Sequence, residues 1–186
     1  MEQDEILIER FKGGEAEAFG ELYDRYIKAV YGFIYYRTSH REVAEDLTSQ
    51  TFIKALEHLP TFSGSVGTFK AWLYRIARNT VIDQYRTAKP LSSLDDAQHA
   101  SSRDDIVHET SVKLSLEKIH AHLAELSDEQ RDIVLMRVYG GLSYKEIAEI
   151  VGKSEASCKM NFSRTIASLR QEIALTLLMS MIVSMS

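Results

Sequence analysis

The chain has 186 residues, of which 45% are hydrophobic, a formal net charge of −5 and one cysteine. This composition belongs to a globular protein with a buried core. A single thiol excludes an internal disulfide and a multi-cysteine zinc site, as expected in a reducing cytosol.

Helical periodicity dominates, and no stretch alternates as a strand does. The opening MEQDEILIER is acidic, without the long apolar run of a signal peptide. A short first helix should stop at Gly13-Gly14. The next is expected from about Glu15 to Arg37, with Phe19, Leu22, Tyr23, Tyr26, Val30, Phe33 and Ile34 on one side at spacings of three and four. A third should run from about Glu42 to Leu59 and end near Pro60. After a Ser- and Gly-containing loop, Thr61 to Gly67, a fourth should run from about Thr68 to Arg86.

From Pro90 to about Thr110 the chain is rich in Ser, Asp, Ala and His and reads as a linker. More helices are expected at about Ser111 to Glu125, Asp128 to Tyr139, Ser143 to Val151, and from Glu155 onward. Ser127 and Ser143 suit N-caps, and Ser143 with Glu146 makes a capping box. The expectation is an all-α chain. Its N-terminal domain would be 1–89 and a flexible acidic linker 90–112. A C-terminal helix-turn-helix domain, 113–186, would carry an apolar tail.

The net negative charge argues against nucleic acid only while it is summed over the whole chain. From Val66 to Lys89 the bases Lys70, Arg75, Arg78, Arg86 and Lys89 face Asp83 alone. From Lys153 to Arg170 the bases Lys153, Lys159, Arg164 and Arg170 face Glu155 alone. Between them lies an acidic connector with Asp95, Asp96, Asp104, Asp105 and Glu109. Two cationic segments around an anionic tether suit a protein that touches DNA at two places.

Leu142 to Arg170 carries the strongest signal. A helix capped by Ser143 packs through Ile147, Ala148, Ile150 and Val151, Gly152 supplies a residue able to take positive φ, and Ser154 caps a second helix. On that helix Cys158, Phe162, Ile166 and Leu169 face inward, while Glu155, Lys159, Met160, Ser163 and Arg164 face away. This is the form of a helix-turn-helix that enters the major groove by its second helix. Ser154, Glu155, Ala156, Lys159, Met160, Ser163 and Arg164 are the candidate duplex contacts. The alternative at this point is a helical hairpin with a solvated basic face. In Gly67 to Arg86, Phe69, Leu73, Ile76 and Thr80 mark an inner face beside Trp72, and Arg75, Arg78, Asn79 and Arg86 lie on a neighbouring one. That face suits an unstacked single strand, with Trp72, Tyr74 and Tyr85 as core residues in the competing account.

In order, AFGELYDRY, EVAEDLTSQTFIKAL, GTFKAWLYRIARNTVIDQYR and LSDEQRDIVLMRVYGGLSYKEIAEIVGKSEASCKMNFSRTIASLR resemble an extracytoplasmic-function (ECF) sigma factor of the sigma-70 superfamily, over about Glu15 to Arg170. The resemblance implies a subunit that binds core RNA polymerase at the β′ clamp through the helix holding Glu45, Asp46, Ser49 and Gln50, and sits near the β flap. It implies melting and reading of a −10 element by the Thr61 to Gly67 loop, with Ser63, and by Arg75, Arg78, Asn79 and Arg86. It further implies duplex binding of a −35 element through the helix from Ser154. Here Ser49-Gln50 stands where the family often has Gln-Glu, and Asn161 where it often has an arginine. An anti-sigma factor is a candidate partner, no small-molecule substrate is expected, and the implied location is cytoplasmic, on the nucleoid.

Geometry is compatible with this. Elements roughly 17 base pairs apart are separated by about 58 Å at ~3.4 Å per pair. A 90–112 connector can extend to about 75 Å at ~3.3 Å per residue. Its charge would keep it off the duplex, and it is expected to thread a basic polymerase channel.

No chemistry of the chain's own is expected. His120 and His122 point to different faces of a helix and have no nearby Cys, so they are a poor metal pair. Adjacent Glu45 and Asp46 diverge on a helix and make a poor acid/base pair. Cys158 reads as a small core residue. No cofactor, metal or catalytic residue is assigned. The tail from Ile173 to Met185 falls short of the ~20 residues of a membrane span, and either packs on its own domain or docks an inhibitory partner, a dimer mate or a membrane surface. The competing functional class is a stand-alone helix-turn-helix regulator that binds duplex DNA as a dimer.

Overall fold

The computed structural model describes residues 3–64, 68–88 and 123–184. Among them are seven α-helices and no strand: α1 Asp4–Lys12, α2 Glu17–Thr38, α3 Arg41–His58, α4 Phe69–Ala88, α5 Asp128–Val138, α6 Tyr144–Val151 and α7 Glu155–Ser184. A 3-10 turn, Leu59–Thr61, follows α3 where Pro60 prevents continuation. The acidic connector, the domain boundaries near 89 and 112, His120, His122 and the end of the loop at 65–67 lie outside the described residues. So do the tail side chains from 172 on.

The chain forms two helical domains. In the first, α2 packs against α3, α4 packs against both, and α1 lies against α2. Leu22, Val30, Phe33 and Ile34 of α2 meet Leu47 and Phe52 of α3 and Phe69, Leu73 and Tyr74 of α4. Leu7 and Ile8 of α1 close one end. Of the α2 stripe, Tyr23 is the exception, since it is exposed and stacks edge-on against Phe52. Helix α2 ends at Ser39, which adopts the left-handed conformation at φ 58°.

In the second domain α5, α6 and α7 pack mutually. Both expected N-caps are present. Ser143 forms the capping box with Glu146, and Ser127 forms another with Gln130, which went unread in the sequence. Gly152 takes φ +72° and turns the chain from α6 into α7. The middle of helix α5 is buried on every side, with Asp132, Ile133, Val134, Leu135 and Met136 all buried. One side of it meets α6 and α7, and the other meets the first domain.

The two domains therefore share one continuous apolar cluster. Helix α5 contacts α2, and α6 contacts α4. Two close approaches fix the fit. A Cβ on Gly32 of α2 would come within 2.7 Å of the Tyr139 ring, and one on Gly140 would come within 3.0 Å of Tyr74 Cζ. The sequence reading places the cationic surfaces far apart along a promoter; in this structure the domains that carry them touch.

Candidate nucleic-acid interface

The helix-turn-helix of α6 and α7 presents its second helix as expected. Ser154 caps α7 by accepting a hydrogen bond from the Ser157 amide at 3.2 Å. Cys158 and Thr165 are buried on the inner side, with Phe162, Ile166 and Leu169 half-buried beside them. Burial pushes the Cys158 thiol above its ordinary pKa, which suits a core residue and not a reactive thiolate. Ser154, Glu155, Ala156, Lys159, Met160, Ser163 and Arg164 are all exposed, and Met160 is 50% exposed despite being apolar. This face is open, cationic through Lys159 and Arg164, and able to enter a groove.

The loop after α3 is anchored by aromatic packing. The Phe62 ring lies 5.0 Å from Trp72 and 6.1 Å from Phe69, centroid to centroid, and Lys12 Nζ donates to the Phe62 carbonyl at 2.8 Å. Ser63 follows directly and is exposed. Trp72 thus serves the core of the first domain, as does Tyr74, which is fully buried. Tyr85 does not, since it is 41% exposed.

The basic face of α4 is divided. Asn79 and Arg86 are exposed. Arg75 is half-buried, and its Nε is sealed without a hydrogen-bond partner. Arg78 points at the other domain: its Nε donates to Asp132 Oδ2 at 2.8 Å. The other Asp132 oxygen accepts from Arg37 Nε at 3.0 Å. Arg37 also reaches Asp128 at 3.1 Å and lies under the Tyr85 ring at 5.6 Å. Burial pushes the Asp132 carboxyl above its ordinary pKa, against the two guanidinium groups that pull it down. Sequence reasoning missed both Arg37 and Asp132.

On α3, Glu45 and Asp46 are exposed and paired within the helix, Glu45 with Arg41 at 2.9 Å and Asp46 with Gln50 at 2.7 Å. Ser49 is exposed and Gln50 half-buried. A shallow groove of about 280 Å³ lies between α2 and α3, lined by Tyr23, Ile27, Tyr31, Glu45, Thr48 and Ser49. Ile53 and Leu56, both exposed, lie on the same helix one and two turns on. Among the described residues there is no cluster of His, Cys, Asp and Glu able to hold a metal ion, and no helix long and apolar enough to cross a membrane.

Comparison with known proteins assigns these surfaces a family. Residues 22–90 match Sigma-70 region 2, and residues 116–169 match Sigma-70, region 4. The ECF RNA polymerase sigma factor BldN of Streptomyces coelicolor is 36% identical over 170 residues, covering 88% of this chain and 63% of that protein. The chain thus spans less than two thirds of BldN. It spans 94% of the ECF sigma factor SigW of Bacillus subtilis, at 30% identity and 89% of this chain. Among solved structures, CnrH in complex with the cytosolic domain of CnrY superposes with a TM-score of 0.70 at 24% identity, over 92% of this chain and 97% of that one. The sigma factor RpoE of Bartonella quintana, in complex with the anti-sigma factor NepR, superposes with a TM-score of 0.66 at 24% identity, over 85% and 98%. At that identity the two likenesses speak for the fold. The chain belongs to the ECF group of the sigma-70 family, the RNA polymerase sigma factors that direct polymerase to promoters.

Proposed function

We propose that this chain engages one promoter at two elements while bound to core RNA polymerase, each domain taking one, with no catalysis of its own. The first domain, up to about residue 89, would read a melted −10 strand through Ser63, Arg75, Arg78, Asn79 and Arg86. The second, from about 113, would bind the −35 duplex through Ser154, Glu155, Ala156, Lys159, Met160, Ser163 and Arg164. Glu45, Asp46, Ser49 and Gln50, beside the α2–α3 groove, would meet the β′ clamp, and the connector 90–112 would run between the domains through the polymerase. The setting is cytoplasmic, on nucleoid DNA, and the similar sigma factor RpoE, solved with the anti-sigma factor NepR, supports an anti-sigma factor as a partner here too.

The observation that carries the reading is the capped α7, whose outward side chains are all open to solvent while those of its inner side are buried or half-buried. A stand-alone dimeric regulator would need only α5 to α7 and would leave the region 2 match unused. The deciding experiment is transcription in vitro with purified core polymerase, with and without the chain, followed by start-site mapping. Initiation at defined sites only in its presence is the expected result. A chain that neither associates with core nor confers initiation would overturn the proposal.

A further inference from the structure

The Arg37–Asp132–Arg78 cluster has a property that its packing role does not require. Both cations belong to the first domain, Arg37 on α2 and Arg78 on α4, and the anion comes from the second. Each guanidinium takes one oxygen of the carboxylate, at 3.0 and 2.8 Å. A phosphodiester presents two anionic oxygens in the same bridging way, and planar guanidinium groups bind either anion.

We propose that Arg37 and Arg78 form a seat for a backbone phosphate of single-stranded promoter DNA, and that Asp132 fills this seat when the two domains close on each other. Closure and strand binding then exclude each other. This rests on the reading of α4 as the strand-facing helix and adds Arg37, a residue on a different helix, to that surface.

Four further observations support the proposal. Both carboxylates that Arg37 meets, Asp128 and Asp132, belong to the second domain, so parting the domains takes both anions from its guanidinium at once and leaves it to another. Arg75, Arg78, Asn79 and Arg86 fall within one arc of α4 at 3.6 residues per turn, so a strand laid along them passes Arg78. The Tyr85 ring, which covers Arg37 at 5.6 Å, is 41% exposed and offers a flat surface for a base next to the phosphate. Burial holds the Asp132 carboxyl above its ordinary pKa, so closure carries a desolvation cost and the latch can open.

The test uses the full chain and a fluorescein-labelled single-stranded DNA 12-mer, read by anisotropy at low salt. Asp132→Asn keeps the shape but not the charge. It is expected to enlarge the radius of gyration in solution scattering and to tighten 12-mer binding roughly tenfold, the size of a modest coupling between sites. Gly32→Ala, which pushes on the Tyr139 ring and leaves every charge in place, should do the same. In the Asp132→Asn background, Arg37→Gln should lower 12-mer affinity and reduce the salt dependence by about one released counterion. Circular dichroism establishes that each variant is folded. An unchanged salt slope on adding Arg37→Gln, or tight 12-mer binding by the closed wild type, overturns the seat. Transcription with core polymerase is scored separately. A chain that binds the 12-mer as described but gives no initiation refutes the sigma-factor mechanism and leaves the seat standing, and the converse result refutes the seat alone.

Discussion

Arg37 Nε lies 3.0 Å from Asp132 Oδ1, with both side chains almost sealed from water and 95 positions apart in sequence. Such a pair adds little net stability, since desolvation offsets the attraction, but breaking it is costly, about 3–5 kcal/mol where the structure cannot relax. This chain can relax, because the pair lies between two domains. Asp132→Ala should therefore part the domains and not unfold them. Calorimetry is expected to show one heat-absorption peak for the wild type and two for the variant, one per domain. A single peak at lower temperature in the variant would mean that the domains cannot stand apart.

The helix-turn-helix carries an acid-sensitive support. Glu146 Oε2 accepts from the Ser143 amide at 2.8 Å and the Ser143 hydroxyl at 2.7 Å, while its Oε1 accepts from Thr68 of the first domain at 2.5 Å. Burial pushes the Glu146 carboxyl up, but these donors and Lys70 outweigh it and hold its pKa below the ordinary value of 4.5. A carboxylate with a lowered folded pKa stabilises above its unfolded pKa, and the contribution is lost as pH falls through the folded one. Glu146→Gln keeps the shape of the capping box, so its stability should change less than the wild type's between pH 5 and about 3. Chemical denaturation followed across that range checks this. Ser143→Ala, which removes the cap at every pH, should cost about 1 kcal/mol.

Most of the helical plan was legible because it is local. Periodicity placed the described helices to within a few residues, the one expected from about Ser111 to Glu125 lying almost wholly outside the described residues, while Pro60 and Gly152 marked two of the breaks, and Ser143 with Glu146 announced α6. The same signature at Ser127 and Gln130 was present and unread. What the sequence could not supply was Arg37 with Asp132, since nothing near either residue names the other. One local sign did exist. Asp132 precedes four consecutive apolar residues, Ile133 to Met136, a run longer than a helical turn that leaves no open face, and a carboxylate there needs a partner. Trp72 and Tyr74 pack inward, as the core account of α4 has them, whereas Tyr85 of the same account is exposed and could not be told from them by spacing alone.

The exposed face of α7 separates charge from shape. Lys159→Ala and Arg164→Ala should each weaken −35 duplex binding by the holoenzyme and lower the slope of log K against log salt by about one, as expected for a lost phosphate contact. Met160→Ala removes a side chain that is 50% exposed and uncharged, and it should leave the slope unchanged while altering preference among −35 sequences. Fluorescence anisotropy over a salt series with two or three promoter variants distinguishes these. If all three substitutions shift the slope equally, the helix does not meet the duplex by this face.

Arg78 and Asn79 are neighbours on α4 but not equivalents. Asn79 is exposed and free to meet a base, while Arg78 is engaged with Asp132 in the closed form. Both Arg78→Ala and Asn79→Ala should reduce promoter opening more than binding to core polymerase, because α3 and its groove are untouched. They should differ in the free chain. Arg78→Ala removes half of the interdomain clamp and should raise the radius of gyration, whereas Asn79→Ala should leave it unchanged. Permanganate footprinting of the melted region, titration against core polymerase and solution scattering measure the three quantities. Equal loss of core binding in both variants would contradict the proposed division between an α3 that meets the polymerase and an α4 that meets the strand.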